Sequence, residues 1–119
     1  MTMLDLSARW MPTQADFDTF AEVSGDDNAI HVDPAFSART AFGRTVSHGM
    51  LIYSRLWGLL LQHRPGTRQV SQTMMFPNPA FAGEEIALSV TETAPGRVTM
   101  RAARVADRAE VLVGEAEIA

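Results

Sequence analysis

The chain has 119 residues, enough for one domain with a modest core and too few for a second. It contains no cysteine and no lysine, all ten basic residues being arginine. Thiol nucleophiles, disulfides, thiolate metal sites, Schiff-base chemistry and a phosphate-loop lysine are therefore excluded within it.

A net charge of −4 argues against a nucleic-acid partner. No apolar run reaches membrane-spanning length, so no membrane partner is expected either. The first ten residues lack the basic-then-apolar pattern of a secretory leader, and the cytoplasm is the expected compartment. Acid–base chemistry falls to His31, His48, His63, Tyr53 and the fourteen carboxylates.

In chain order, residues 5–11 read as a short edge strand. Thr13 with Asp16 three positions on has the form of a capping box, opening a helix to about Val23 with Phe17, Phe20 and Ala21 on one face. Ser24-Gly25-Asp26-Asp27-Asn28 breaks that helix, since glycine and Asx residues favour turns. A polar loop with short helical pieces covers residues 29–45, Asp33-Pro34 starting one of them. From Gly49 to Leu61 the sequence is apolar around nearly its whole circumference, with Ser47 placed to cap it and Pro65-Gly66 to stop it. Such a helix, too short to cross a bilayer, belongs in the core. Strands follow at 69–76, 85–93, 97–105 and 110–118. Pro95-Gly96 and Asp107-Arg108 supply turns between the last three, and the proline-bearing block 77–84 is a bend or bulge. This order implies an α+β fold in which an antiparallel meander covers a single hydrophobic helix.

Two segments concentrate chemistry. Asp26 and His31 lie five positions apart across a turn, close enough to converge on one water. A carboxylate with pKa near 4 and an imidazole near 6.5 can divide proton-transfer roles at neutral pH. Asn28 can hold the same water without titrating; equally, Asp26 and Asn28 can simply cap the turn. Ser47-His48-Gly49-Met50 then opens the apolar helix, whose first backbone N–H groups lack intrahelical acceptors. Gly49 would let a ligand carbonyl approach those donors, as an oxyanion site requires; the alternative is tight packing of helix on sheet. His48 is suited to packing under the Asp26 loop or orienting it, and His63 to a surface or C-terminal capping position at the helix end.

The run Ser24-Gly-Asp-x-Asn-x-x-His-x-Asp-Pro34, with Ala35-Phe36, Ala41-Phe42, His48-Gly49-Met50, Phe76-x-x-Pro79 and Gly83, resembles the (R)-specific enoyl-CoA hydratase or MaoC-like dehydratase family over about residues 16–118. Two positions depart from the family's pattern: Ala29 stands where proline is usual, and Glu84 where aspartate is. The resemblance implies a hot-dog fold, a curved antiparallel sheet wrapped around a central helix, working as a pair of copies with an acyl thioester between them. It implies that Asp26 and His31 are the catalytic pair, that Asn28 supports the water and that the Gly49 N–H receives the thioester oxygen. The substrate would be a trans-2-enoyl thioester of CoA or acyl-carrier protein, hydrated to the (R)-3-hydroxyacyl form with no further cofactor and no metal.

Helical spacing from Gly49 places Ile52, Tyr53, Leu56, Trp57 and Leu60 on the face along which an acyl tail would run, with Tyr53 and Trp57 shortening the pocket, which favours short chains. Arg39 and Arg44 before the helix, and Arg64 and Arg68 after it, are candidates for the CoA phosphates. Three rival readings share these residues. One is a hot-dog thioesterase, another a non-catalytic acyl-binding subunit. The third is an iron site built from His31, Asp33 and a later histidine, His48 or His63.

Overall fold

The computed structural model describes residues 2–119. Its elements are β1 (Asp5–Trp10), α1 (Gln14–Ser24), α2 (Ala29–Val32), α3 (Pro34–Ser37), α4 (Gly49–His63), β2 (Gln69–Met75), β3 (Ile86–Ala94), β4 (Arg97–Arg104) and β5 (Glu110–Ile118). The helix α1 opens on the anticipated capping box, Asp16 N donating to Thr13 Oγ1 at 3.1 Å and Thr13 N to the Asp16 carboxylate at 3.0 Å. It closes at Gly25, whose φ of 81° is the left-handed conformation that glycine adopts without steric cost. Ala29 occupies the first position of α2, behind the Asn28 cap. Proline suits that position because its amide has no intrahelical acceptor. Alanine therefore leaves the turn intact.

The strands form one antiparallel sheet in the order β1-β3-β4-β5-β2. The meander expected after the central helix is thus three strands, β3-β4-β5, closed by the predicted turns. The strand β2 instead pairs with β5 at the far edge. Residues 76–85 are not a local bend: they carry the chain from that edge to β3, on the other side of the sheet. Two prolines and the length of this segment forbid a hairpin. It is pinned by Ser47 N donating to Ala80 O at 2.8 Å and by Asn78 Nδ2 donating to Glu110 O at 2.9 Å.

Alternate residues of β3 and β4 (Ile86, Leu88 and Val90; Val98, Met100 and Ala102) point into the core. Against them α4 lays Leu51, Ile52, Leu56, Leu59 and Leu60, each buried and each worth about 1.5–3 kcal/mol in apolar surface removed from water. A register shift beside Ala102 breaks the alternation of β5, so that Val111 and Leu112 are both fully buried.

Enclosure of α4 is less complete than its composition suggests. Ser54, Arg55 and Gln62 are exposed and Tyr53, Trp57 and Leu61 only partly covered, because one five-stranded sheet shields one side of a helix. The two sheet edges also differ. The edge β1 carries Asp5 and Arg9, whereas β2 has no charged residue and leaves Val70 and Met75 open to solvent.

Candidate active site

A cavity of about 420 Å³ opens at the N-terminal end of α4. Asp26, His31, His48 and Gly49 form its polar side, and Ile52, Phe76 and Val111 are among its apolar walls. Each polar group arrives from a different local structure. Gly25 turns the chain out of α1 so that Asp26 stands at the mouth, its side chain 56% exposed. The one-turn helix α2, capped by Asn28, carries His31 inward until it is buried. Gln14 of α1 then ties the layers together, donating to His31 O at 2.9 Å and accepting from Thr45 Oγ1 at 2.6 Å.

The hydrogen bonds fix the chemistry of the histidines. His31 Nδ1 lies 2.7 Å from Val46 O, and because a carbonyl only accepts, Nδ1 carries the proton. Nε2 therefore presents a lone pair, 3.8 Å from Asp26 Oδ2. Two acceptors at that separation can each take one hydrogen of a single water. His48 Nε2 donates to Asp26 O at 2.8 Å, leaving a buried Nδ1 without a partner among the described residues. Burial lowers the His48 pKa and the neighbouring His31 adds to this, against the opposing pull of the Asp26 carbonyl and carboxylate. The balance favours the neutral ring.

Ser47 does not cap α4: its hydroxyl donates to His48 O at 3.0 Å, and the cap position belongs to His48, which makes no side-chain capping bond. The positive end of the helix keeps its first amides available to a ligand. Gly49 serves packing as well as access, since a Cβ there would sit 2.7 Å from two carbons of the Phe76 ring.

Asp26, His31 and Gly49 are therefore brought together at the cavity. Asn28 is not: it is exposed, outside the cavity lining, and its Oδ1 accepts from Ile30 N at 3.1 Å as the cap of α2. The anticipated acyl wall also needs correcting, because Tyr53, Leu56, Trp57 and Leu60 do not line this cavity. Leu56 and Leu60 are spent wholly on the core, and the Tyr53 hydroxyl donates to Gln69 Oε1. Of that helix face Ile52 does line the cavity, and Phe76 and Val111 join it in the apolar wall. Val111 was not legible, because the bulge that helps to turn it inward forms only in the sheet.

Of the arginines, Arg39 is exposed, while Arg44 pairs with Glu84 at 2.5 Å and stacks 4.1 Å from the Phe81 ring centre. Arg64 and Arg68 follow the other end of a 15-residue helix, about 22 Å from Gly49 at 1.5 Å per residue. In this chain they cannot share the site. Arg64 is held by Glu92 at 3.0 Å instead.

The iron reading is corrected as well. Asp33 caps α3, accepting from Phe36 N at 3.0 Å, and His63 bonds Leu59 O at the far end of α4. Asp26, His31 and His48 do offer ligand atoms within 4.8 Å of one another. However, the two imidazoles stack with centroids 3.9 Å apart at 24°, so their in-plane lone pairs run side by side instead of converging on one ion.

The MaoC-like domain profile matches residues 3–113 of the chain. The chain belongs to this family. In sequence this MaoC-like protein is 44% identical over 82 residues to an (R)-specific enoyl-CoA hydratase of Aeromonas caviae, covering 67% of this chain and 61% of that enzyme. It is 39% identical over 92 residues to a 3-hydroxybutyryl-CoA dehydratase of Methylorubrum extorquens, covering 73% of this chain and 56% of that one. The matched part thus spans less than two thirds of either relative. Among solved structures, an (R)-hydratase from A. caviae involved in PHA biosynthesis superposes with TM-score 0.86 at 32% identity, over 99% of this chain and 95% of that one. An unliganded R-hydratase from Pseudomonas aeruginosa superposes with TM-score 0.88 at 30% identity, over 99% and 80%. These likenesses identify the sheet-and-helix arrangement as the hot-dog fold.

Proposed function

We propose that the protein adds water reversibly to short trans-2-enoyl thioesters of CoA or acyl-carrier protein, giving (R)-3-hydroxyacyl thioesters. The observation that carries this reading is the Asp26 carboxylate and the His31 Nε2 lone pair, 3.8 Å apart, at a cavity that also reaches the uncapped end of α4. A water donating to both acceptors loses a proton to the pair as its oxygen attacks C3. Enolate-like charge on the thioester oxygen is met by the Gly49 N–H and the helix dipole. The pair then returns a proton to C2, so the elements of water are conserved and no electron changes hands. No cofactor is needed for that balance. Asn28 contributes by holding the helical turn that presents His31.

Ile52 and Val111 in the cavity wall support a short acyl chain. The uncharged β2 edge and the exposed Met50, Phe76 and Met75 support pairing with a second copy, because an unprotected strand edge beside an apolar patch is a liability unless covered. Their position on the loop leading to the cavity-lining Val46 supports Arg39 and Arg44 as the candidates for the CoA phosphates. Among the described residues no helix is long and apolar enough to cross a membrane, and a cytoplasmic location accords with a CoA substrate.

The test is hydration of crotonyl-CoA, followed as loss of conjugated absorbance. Asp26→Asn and His31→Ala should each reduce turnover at least ~10²-fold, the usual contribution of a positioned acid or base. Near-wild-type rates in both, or release of free CoA in place of hydration, would sink the assignment.

A further inference from the structure

His48 touches both members of the acid–base pair without presenting them a free proton. Its Nε2–H reaches the backbone carbonyl of Asp26 at 2.8 Å, and its ring lies flat on that of His31, centroids 3.9 Å apart. It is only 2% exposed, wedged against Phe20 at 4.8 Å and Phe17 at 6.4 Å from the first helix. Asp26 itself sits on an exposed turn with few other restraints among the described residues: its N–H bonds Ser24 Oγ at 3.1 Å, and its carboxylate receives from them a 3.5 Å contact from Asn28 N besides the approach of His31. A turn so lightly tied would sample several positions of the carboxylate. The buried imidazole takes away that freedom from beneath.

From this geometry we propose that His48 is a positioning residue, one ring that fixes the Asp26 turn by a hydrogen bond and the His31 imidazole by stacking. As a residue acting on catalysis, it rests on the hydratase reading; as a clamp on the turn, it does not. The Nε2–H is the part that reaches Asp26, so a side chain with a donor at that depth should substitute for it. Glutamine places its amide there, whereas asparagine stops short and phenylalanine keeps only the flat ring.

Two measurements on His48→Phe, His48→Asn and His48→Gln decide the matter. In hydrogen exchange, the amides of residues 26–28 should exchange at least tenfold faster in the Phe and Asn variants and regain protection in the Gln variant. In crotonyl-CoA hydration, kcat should fall about 10–100-fold in Phe and Asn, as misplacement of a catalytic group costs, with KM changed less than about threefold. His48→Gln should recover kcat to within about fivefold. Unchanged exchange in Phe and Asn overturns the clamp. So does a loss of kcat that tracks the melting temperature and is not recovered by Gln, because that is core damage alone. Should the wild-type protein hydrate no enoyl thioester, the hydratase reading fails by itself, and the exchange pattern still upholds or overturns the clamp. Should Phe not fold, the Asn and Gln pair carries both comparisons.

Discussion

Replacing Gly49 by alanine separates the chemistry of the helix tip from the stability of the fold. The added Cβ would lie 2.7, 2.7 and 2.9 Å from three carbons of the Phe76 ring. Ordinary carbon contact begins near 3.5 Å, so the ring must retreat by about 0.8 Å. Phe76 is 45% exposed and sits just beyond the end of β2, which gives it room to do so. The shift costs about 1 kcal/mol. Against it stands about 0.5–1 kcal/mol from replacing the residue with the greatest backbone freedom in the unfolded chain. The two nearly cancel, and the melting temperature should move by no more than a few degrees.

Activity should not survive so well. The methyl group and the displaced ring crowd the space through which a thioester oxygen reaches the amides of α4. Loss of one such donor costs about 10²–10³ in kcat. The assay is kcat and KM for crotonyl-CoA beside a thermal melt of the same preparation. A rate within threefold of wild type would refute an oxyanion role for this end of the helix. A large fall in melting temperature would refute the mobility assigned to Phe76.

Two further outcomes follow from the surroundings of the site. Glu92 is buried on β3, beside the residues leading into β1, accepting from the two terminal guanidinium nitrogens of Arg64 and from the N–H groups of Gly96 and Leu4, and these partners, Arg64 foremost, hold its pKa down to about 2. Its folded value lies below its unfolded one, so its contribution of about 3 kcal/mol is complete above pH 4.5 and drains away as pH falls toward 2. In urea titrations Glu92→Gln should lose that amount at pH 7 and lose the pH dependence in this window; equal stability at pH 7 would contradict it. A lysine in place of the exposed Val70 puts a charge on the bare β2 edge without disturbing the core. By light scattering it should shift the pair proposed across this edge toward monomer and reduce activity in step, whereas an unmoved mass would overturn that pairing.

Local chemistry made much of this molecule readable in advance. Thr13 and Asp16 specify the start of α1 because both bonds of a capping box form within one turn. Gly25 specifies its end. The run from Gly49 to Leu61 announces a buried helix by composition, and Pro95-Gly96 and Asp107-Arg108 mark hairpins because turn geometry is a property of a few adjacent residues. The Asp26–His31 spacing, with the likeness it carries to MaoC-like proteins, pointed to the cavity before any coordinate did. The remainder depends on residues distant in sequence. That β2 lies beside β5 and not β3 follows from how the sheet closes around α4, and no feature of Gln69–Met75 encodes its neighbour. Helical periodicity correctly put Leu56 and Leu60 on one face, but whether that face meets sheet or ligand is decided by which strands cover it. Asn28 could have served a water or a helix cap, and the backbone of Ile30 claimed it. Val111 and Phe76 entered the cavity through a sheet bulge and a crossover, and His48 found Asp26 and His31 through a turn and a helix that meet only on folding. Sequence determined the elements and the reactive groups, since those rest on neighbours along the chain; tertiary packing decided which surfaces those groups face, since burial is shared among segments that the chain itself keeps apart.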